Sequence, residues 1–545
     1  MTHAVTVLRG DEAHDALDDP AFLEGWERLR AACPWATAFQ SAPFATAWYR
    51  AYRHRWEPVL AVRSGADGRP DGLLAMGAGR DGSVLTSAGG HQAEYHAWIA
   101  PPDDTTFGPA ALAALERVFP GRAIALRYVP PGVPLASIVD AEGLGARAEA
   151  VLHRRPLMRL NPATIEQSLG KKGNRSRLNR LARAGRIRFE RLTTPEGLDH
   201  VFDAVIAQYD LRQGAVNDVL PFRSDAMKRA FHLALMEVPG LLHVTVLWAG
   251  EELLAAHLGV ADSHTVHWGI GSHSPFHARH SPGKLHVLLL ARLLADEGIA
   301  VLDLTPGGDP WKERFSNEHD TVRELTVHPT AAALTAVRRR RRLRGAAKAA
   351  ARAVGIDPAA ARRTATAGVR RLANGVRAVS AVPLYRRSLP AAVTRPEPEP
   401  LRRDRIEDLL AAADRAARRE ALADALRRLE DGAHLYTSAD GQGAPSWLLA
   451  TPAPIGASGA RFAAPEPGAV LYDATRCVSD GAAFDGQLRQ ILADAPSTAP
   501  CLYVALPKHG EQLARRLAAH GFTRCGTVRA RRTVAAPWFR AAGDP

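Results

Sequence analysis

A segment rich in alanine and arginine interrupts this sequence and separates parts that must fold apart. Residues 331–405 hold 19 basic and 4 acidic side chains, a net charge of +15, while the whole chain carries +13. The remainder therefore has a net charge of −2, which is close to neutral. Alanine favours helix, and the scarcity of large apolar side chains leaves this segment little surface to bury. We predict a basic helical connector over residues 331–400 whose role is electrostatic.

The length of the chain predicts several domains. Single hydrophobic cores stop growing near about 250–300 residues, and this chain has 545. An apolar fraction of 46% and a charged fraction of 23% are ordinary globular values and exclude a mainly disordered or fibrous chain. The predicted parts are an N-terminal lobe over 1–150, a second lobe over 151–330, the connector over 331–400 and a C-terminal domain over 401–545.

Cysteine usage and hydropathy indicate a cytoplasmic protein. The four cysteines are far apart and form no Cys-x-x-Cys pair, which argues against a disulfide framework and a zinc site. The first twenty residues are acidic and lack a long apolar run, so we expect no cleaved signal peptide. The most apolar stretch, residues 285–295, is about half of the roughly 20 residues that cross a bilayer. We therefore expect neither a transmembrane helix nor a bound metal.

Hydrophobic periodicity predicts an α/β (α+β) fold with mixed, mostly antiparallel sheets. In the N-terminal lobe, helical patterns over 22–32 and 43–54 precede strand patterns over 59–63 and 73–78. Asp-Gly turn signals separate short strands, as in antiparallel hairpins. These turn signals are Asp67-Gly68, Asp71-Gly72 and Asp81-Gly82.

The second lobe and the C-terminal part show the same mixture of patterns. Strands over 242–248, 253–260 and 265–270 are joined by short connections, which predicts a three-stranded antiparallel meander. A helix over 284–297 is apolar on nearly every side and should be buried. The other predicted strands are 157–160, 187–192, 301–304, 447–450, 470–474 and 501–506. The other predicted helices are one that starts at Asn161-Pro162 and ends at Gly185, and those over 196–211, 224–237, 401–429, 484–493 and 511–520.

The turn before the apolar helix is a candidate phosphate site. Ser281 followed by Pro282 is a helix start signal, and Gly283 and Lys284 then lie in the first turn. The first backbone N–H groups of a helix are unpaired and lie at the positive end of its dipole, so they favour anions. A simple cap and tight turn would leave the same pattern.

Four sequence pieces, in this order, resemble a branch of the GNAT acyltransferase superfamily. That branch includes the acetyltransferase domain of CelD-like cellulose-biosynthesis proteins and is related to FemAB-type peptidyl transferases. The resemblance covers about residues 20–328 and implies tandem GNAT-like lobes. The pieces are Trp26 with Phe39-Gln-Ser-Ala-Pro43 and Ala47-Trp48, the basic run Asn174 to Gly185, Ser281-Pro-Gly283, and Asp303 to Gly308 with Trp311-Lys312.

The resemblance implies a coenzyme A donor, because GNAT proteins bind its pyrophosphate at the start of the helix after the fourth strand. The donor-binding candidates are therefore Arg279, Ser281, Gly283, Lys284 and Leu285. Only one glycine of the usual phosphate loop is present here. Fem-type relatives use this fold with aminoacyl-tRNA as donor, so that donor stays open.

Two further residues in the shared motifs are candidates for binding substrate. Arg175 opens a helix pattern rich in lysine and arginine, whose guanidinium groups can hold oxyanions bidentately. A solvated helix face would explain the same charge run. Trp311 precedes the lysine of the Trp-Lys motif.

Acyl transfer to an amine needs a proton acceptor, which makes titratable residues near the strand ends catalytic candidates. His267 lies on a predicted strand opposite its apolar face, and Asp303 lies at a strand end. Lys312 follows a Gly-Gly turn in the family's most recognisable motif. A buried structural role is open for all three.

The C-terminal domain resembles a degenerate third GNAT-like unit. Its strand, helix and Gly-Phe turn are present, but the phosphate loop is replaced by a sequence with Asp480 and Asp485, which would repel a pyrophosphate. We therefore expect no donor binding there.

The leading hypothesis is an enzyme, an acyl-CoA-dependent N-acyltransferase acting on an amine. The CelD resemblance implies an acceptor in polysaccharide or cell-envelope biosynthesis. The alternatives are aminoacyl transfer from tRNA and a non-catalytic adaptor that binds anions. Residues 331–405 could contact an anionic polymer or membrane surface, but their one aromatic residue, Tyr385, argues against sequence-specific nucleic-acid binding.

Overall fold

The structure is a computed structural model. Its contacts divide the chain into two compact units that do not follow the sequence in a simple order. The first unit comprises Met1–Asp203, Asp225–Ser272 and Gly283–Pro358, and the second comprises Ala204–Ser224, His273–Pro282 and Ala359–Pro545. The structure describes residues 4–80, 85–140, 143–353, 380–389, 401–413, 418–437, 446–450, 453–455, 460–462, 468–472, 481–494, 499–505, 511–531 and 538–542.

The chain up to residue 353 alternates helices with strands. Its helices are α1 (Asp11–Asp18), α2 (Pro20–Ala32), α3 (Ala42–Ala51), α4 (Phe107–Val118), α5 (Ala136–Val139), α6 (Pro162–Gly170), α7 (Lys172–Leu181), α8 (Pro195–Asn217), α9 (Met227–Met236), α10 (Pro282–Asp296), α11 (Pro310–Phe315) and α12 (Ala331–Ala353). Its strands are β1 (Thr6–Arg9), β2 (Trp56–Ser64), β3 (Pro70–Gly79), β4 (Leu85–Ser87), β5 (Ile124–Val129), β6 (Ala148–Arg159), β7 (Ile187–Leu192), β8 (Leu242–Ala249), β9 (Glu252–Val260), β10 (Thr265–His267), β11 (Ile270–His273), β12 (Val301–Asp303) and β13 (Glu318–Val327).

These strands form three sheets, so the predicted α/β class with mostly antiparallel sheets is confirmed. The strand orders are β1-β2-β3-β4, β10-β12-β6-β13-β5 and β11-β9-β8-β7. β10 and β12 pair in parallel, with His267 opposite Asp303. β6 runs through the predicted boundary at residue 150 and pairs with β13 along its length. The boundaries at 150, 330 and 400 stay predictions.

Local capping signals fix where several helices begin. Asn161 caps α6 by accepting a hydrogen bond from the Thr164 N–H at 3.1 Å, with Pro162 in the first turn. Ser41 caps α3 in the same way through Phe44 N–H at 3.3 Å. Both arrangements follow from serine or asparagine before a proline, which presets the helical backbone.

The core of the second lobe is built around α10. The prediction that this helix is buried is confirmed, because Leu285, Leu290 and Leu294 are fully buried against β8, β9 and β12. Residues Ile165 and Leu181 bring α6 and α7 into the same cluster. Burial of large aliphatic side chains contributes about 1.5–3 kcal/mol each, so this cluster fixes the helix against the sheet.

The predicted third strand of the meander is wrong. Residues 265–270 divide into β10, which pairs with β12, and β11, which joins β9 in another sheet. Gly269 permits the division, since a Cβ there would lie 2.8 Å from the Leu258 carbonyl oxygen. The pattern could not show this, because the parallel partner follows some thirty residues later.

Two turn signals were tested by the strand pairing. Asp67 and Gly68 lie in the turn between β2 and β3, which pair antiparallel as predicted. Asp71 and Gly72 lie within β3, so that signal was wrong; Gly72 is needed there because a Cβ would lie 2.3 Å from the Phe107 ring. The Asp81-Gly82 signal lies outside the described residues.

The second unit contains an eight-stranded sheet in the order β15-β16-β17-β20-β21-β14-β22-β23 and a small β18-β19 pair. Its own helices are α13 (Ile406–Ala412), α14 (Arg418–Glu430), α15 (Gly481–Asp494) and α16 (Glu511–Ala519). Its strands are β14 (Ser380–Ser388), β15 (Arg402–Arg403), β16 (His434–Thr437), β17 (Ser446–Ala450), β18 (Ala453–Ile455), β19 (Ala460–Phe462), β20 (Ala469–Tyr472), β21 (Cys501–Ala505), β22 (Thr523–Arg531) and β23 (Trp538–Ala542).

The second unit repeats one topological feature of the first. β20 and β21 pair in parallel and are joined through α15, as β10 and β12 are joined through α10. A parallel pair requires such a crossover connection. The two units therefore share one strand–helix–strand arrangement.

Two expectations for the basic segment and its C-terminal neighbour need correction. Helix is found over Ala331–Ala353, but Ser380–Ser388 is a strand between β21 and β22. Its Leu384 and Tyr385 pack into clusters on opposite faces of the sheet, which a helix could not do. The helix predicted over 401–429 is instead β15, α13 and α14.

Candidate functional site

His267 and Asp303 form a buried ion pair at the point where β10 and β12 diverge. His267 Nδ1 lies 3.1 Å from Asp303 Oδ2, and the two side chains are 3% and 1% exposed. Beyond this pair, the Trp268 N–H donates to the Asp303 carbonyl at 2.7 Å, and the following residues join β11 in another sheet. The parallel strands thus hold the two predicted catalytic residues together.

The carboxylate of Asp303 is surrounded by donors. Oδ2 also accepts from the Tyr95 hydroxyl at 2.7 Å and lies 3.5 Å from Arg155 Nη1. Oδ1 accepts from the Thr305 N–H at 2.8 Å. Although burial favours the neutral acid, His267, Arg155 and Tyr95 hold the Asp303 pKa below its ordinary value. A carboxylate with this many partners is poorly placed to accept a further proton.

His267 is cationic at neutral pH. Burial opposes the charge, but the nearby carboxylates of Asp262 and Asp303 raise the His267 pKa to about 9. Its Nε2 lies 3.7 Å from Asp262 Oδ2, which is beyond hydrogen-bond distance. An imidazolium cannot act as a general base. The His267–Asp303 pair, or dyad, is therefore suited to stabilising the junction between β10 and β12.

Lys312 is held in the loop that follows Asp303. Its Nζ donates to Thr305 O at 3.2 Å, Thr305 Oγ1 at 3.1 Å and Pro306 O at 3.3 Å. Burial lowers the Lys312 pKa, while nearby carboxylates oppose that shift. Thr305 has a positive φ of 60°, which is uncommon for a residue with a branched Cβ. Lys312 therefore stabilises a strained turn beside the dyad.

The sequence analysis missed Glu94, a carboxyl close to this network. Glu94 Oε2 pairs with Arg127 Nη2 at 3.1 Å and is 22% exposed. Burial raises the Glu94 pKa and the charge of Asp303 adds to it, while Arg127, Lys312 and His267 oppose the rise. A carboxyl with a raised pKa is better suited to exchange protons than the saturated Asp303. Its signal in the sequence is a charged residue inside the apolar-aromatic run of residues 93–99.

Positive side chains from several elements act on Lys284, which lies in the first turn of α10. Pro282 begins the helix, followed by Gly283, Lys284 and the fully buried Leu285. Burial lowers the Lys284 pKa, and the positive charges of Arg177, Arg314 and Lys171 lower it further. A cluster of cations favours an anionic ligand.

The other predicted donor residues differ from one another in their surroundings. Ser281 is in the left-handed region at φ 53°, directly before the helix. Leu285 is buried in the apolar cluster, so only its backbone N–H is available to a ligand. Arg279 belongs to the second unit, where its guanidinium lies 3.8 Å from the place a Cβ of Gly432 would take.

Arg175 lies on a separate cationic face of α7. This face borders a surface groove of about 380 Å³ and carries no acidic residue. Cations at i, i+3 and i+4 repel one another and destabilise a helix by about 0.2–0.5 kcal/mol per pair. An anion bound on this face would offset the repulsion between these cations. The lining residues are Lys172, Arg175, Ser176, Asn179, Arg180 and Arg183.

Trp311 belongs to an aromatic stack rather than standing alone. Its ring centroid is 4.8 Å from that of Trp268, which in turn is 4.4 Å from His257. His257 is fully buried, and burial depresses its pKa well below the ordinary value. Within this stack, Trp268 lies between β10 and β11, and His257 lies in β9.

Asp485 in the second unit is not a free repulsive charge. It pairs with Arg516 at 2.7 Å and His520 at 3.1 Å. The Arg516 guanidinium therefore offsets the carboxylate charge that we expected to repel a pyrophosphate, and the absence of donor binding in this unit stays a prediction. Asp480 lies outside the described residues.

Two features are absent from the part of the chain that the structure describes, a metal-ligand cluster and a membrane-spanning helix. The described residues include no group of three or more histidines, cysteines and acids arranged to hold a metal. They also include no helix that is long and apolar enough to cross a membrane.

One part of the chain matches a family of known proteins. Residues 170–313 match the sequence family described as the Acetyltransferase (GNAT) domain. This stretch contains the cationic α7, the start of α10, the dyad and Lys312. It is therefore similar to a GNAT acetyltransferase domain. The search of curated proteins found no match.

Several solved structures resemble the chain distantly. "Crystal structure of FemX" has a TM-score of 0.41 and 11% identity, covering 58% of this chain and 98% of that one. A tandem GNAT protein from the clavulanic acid biosynthesis pathway has a TM-score of 0.38 and 12% identity, covering 60% and 99%. A conserved protein of unknown function from Bacteroides thetaiotaomicron has a TM-score of 0.40 and 10% identity, covering 56% and 97%.

Proposed function

We propose that the chain is an acyl-CoA-dependent N-acyltransferase whose donor phosphates bind at the first turn of α10. The observation that carries this proposal is the positive electrostatic environment of Lys284, whose pKa is lowered by burial and by the charges of Arg177, Arg314 and Lys171. The free N–H groups of a helix start and its positive dipole end add to this field. The similarity of residues 170–313 to an acetyltransferase domain supplies the reaction class.

Within this proposal, the buried dyad is structural and Glu94 accepts the proton. Attack by an amine on a thioester requires a neutral nitrogen and a group that takes its proton. His267 is already protonated at neutral pH, because its pKa is raised to about 9. Glu94 is partly exposed, lies near Lys312 and has a raised pKa. In this proposal, the loop after β12 lies next to the reacting groups and is stabilised by Asp303, His267 and Lys312.

The finer features of this proposal rest on the sequence resemblance. They are two GNAT-like lobes, a non-catalytic third copy, a cytoplasmic location and an amine acceptor in polysaccharide or cell-envelope biosynthesis. Trp311 and Arg175 remain proposed substrate-binding residues.

The donor site is tested by charge reversal on the full-length chain. Lys284→Glu and Gly283→Asp each place a carboxylate at the proposed phosphate position. Losing about two charge-assisted hydrogen bonds, roughly 1.5–3 kcal/mol each, should weaken acetyl-CoA binding by about two orders of magnitude or more in calorimetry. Arg28→Glu is the matched control, since Arg28 is exposed on α2. Parent-like affinity in a folded Lys284→Glu variant would contradict the assignment.

The cationic face of α7 favours a second candidate, aminoacyl transfer from tRNA. Its groove extends the positive surface beyond what a single pyrophosphate would use. Binding of tRNA should then weaken steeply with salt, and Arg175→Ala with Arg180→Ala should lower the slope of log K against log salt by about 1 to 2. If the parent binds tRNA and not acetyl-CoA, this candidate replaces the first.

A further inference from the structure

The segment that leads into α10 belongs to the core of the second unit. His273–Pro282 groups with Ala204–Ser224 and with the chain after residue 358. The segment ends at Pro282, which is also the first residue of α10 and so starts the proposed donor turn. Its backbone is therefore shaped by contacts with the C-terminal chain.

An apolar contact holds the middle of this segment. Phe276 packs against a buried cluster that includes Leu211 of α8 and Leu422 and Leu426 of α14. The segment forms a short 3-10 turn over Pro275–His280 and lies against α14. Phe276 is half-buried there. Packing of an aromatic ring is among the larger single contributions to stability, so this contact helps to hold the turn in place.

A polar contact holds the start of the same segment. Arg212 Nη2 lies 2.6 Å from His273 Nε2 and 3.1 Å from Glu430 Oε1. A guanidinium group only donates, so both partners accept from Arg212. This side chain links α8, α14 and the segment in one network.

The two helices that hold the segment are packed closely. A Cβ on Gly214 of α8 would lie 2.5 Å from Leu422 Cδ1 of α14. The helices can therefore approach only because this position lacks a side chain. The frame around Phe276 and His273 is rigid, since well-packed cores resist continuous deformation.

We propose that the C-terminal unit positions the segment His273–Pro282 and thereby the first turn of α10. Arg212, Glu430 and Phe276 are positioning residues, because they act on the donor turn through the backbone. The link to donor binding rests on the proposed function, whereas the order of the segment does not. The proposal gives the C-terminal copy a role that needs no donor of its own.

The test compares Arg212→Ala and Phe276→Ala with the parent in the full-length chain. Hydrogen exchange of peptides covering residues 273–285 reports the order of the segment, and calorimetry reports acetyl-CoA affinity. We expect exchange about tenfold faster in these peptides and affinity about five- to tenfold weaker, with the thermal midpoint of the first unit unchanged. Phe276→Leu should restore most of both values.

Arg418→Ala is the matched control. Arg418 also joins α14 to the end of α8, through Asp218 Oδ1 at 3.4 Å, and this pair involves no residue of the segment. The proposal is overturned if Arg418→Ala speeds exchange equally, if neither test variant speeds it, or if donor affinity stays at the parent value despite faster exchange. If the parent binds no acetyl-CoA yet exchange rises locally, the positioning role stands and the donor assignment fails.

Discussion

The imidazole Nδ1 of His267 lies 3.1 Å from the Asp303 carboxylate, and neither side chain is more than 3% exposed. Arg155 and Tyr95 complete the surroundings of the carboxylate. Removing one partner of such a buried pair leaves an uncompensated charge, which costs more than the pair itself contributes.

Replacing the carboxylate should therefore destabilise the first unit strongly. Asp303→Asn leaves His267 and Arg155 without a full counter-charge and should lower the free energy of unfolding by about 3–5 kcal/mol. Chemical denaturation measures this. Glu166→Gln, which removes an exposed pair with Arg292 at 3.7 Å, should change little. Equal stability of the two variants would show that the dyad is not a stabilising pair.

The His267 pair should also make stability fall at alkaline pH. The folded-state pKa is raised to about 9 from an unfolded value of 6.5, so the stabilisation is complete below pH 6.5 and is lost as pH rises through 9. Each pH unit in that window should cost up to about 1.4 kcal/mol. Urea unfolding between pH 6 and 10 measures the slope. In His267→Gln this alkaline slope should disappear, and a slope that persists would assign it to another group.

Glu94 should matter for turnover more than a similar carboxyl elsewhere. If Glu94 accepts the proton, Glu94→Gln should reduce kcat by about 10²–10⁴-fold, with the acidic limb of the pH profile lost. The matched control is Glu116→Gln, since Glu116 is 21% exposed and paired with Arg147, much as Glu94 is paired with Arg127. A pH profile that keeps its acidic limb in Glu94→Gln would exclude Glu94 as the base.

The arginines of α12 should bind polyanions in a salt-dependent way. Arg338 and Arg341 pair with Glu149 at 3.4 and 3.1 Å, which leaves Arg339, Arg340 and Arg342 exposed beside them. Changing these three to alanine should lower the slope of log K against log salt for a DNA duplex by about 2 to 3. Fluorescence anisotropy measures the slope. Binding that is insensitive to ionic strength would contradict an electrostatic role.

Many elements could be predicted from local sequence because their causes are local. Asn161 before Pro162 begins α6, and the continuous apolar surface of residues 285–294 buries α10. The strands at 59–63 and 73–78 lie within β2 and β3 and pair as expected. The strand at 380–388 was missed, since its arginines and alanines resemble the basic connector and its burial comes from distant β21 and β22.

The candidate site shows the same division. His267, Asp303 and Lys312 were identified by residue type and position, and the structure gathers them around one turn. Their protonation could not be predicted, because the charge of His267 depends on Asp262 and Asp303 together. Glu94 was missed because its raised pKa comes from burial and from the charge of Asp303, which lies far away in sequence.

The sequence by itself determined the α/β class, most helix starts, the buried α10 and the cationic composition of α7 and α12. These features depend on periodicity, capping and charge within a short window of the chain. Only the tertiary structure decided that β10 pairs with β12, that Asp303 is saturated by its neighbours, and that His273–Pro282 belongs to the C-terminal core. Each of these depends on contacts between residues far apart in sequence, whose free energy exists only after the chain has packed.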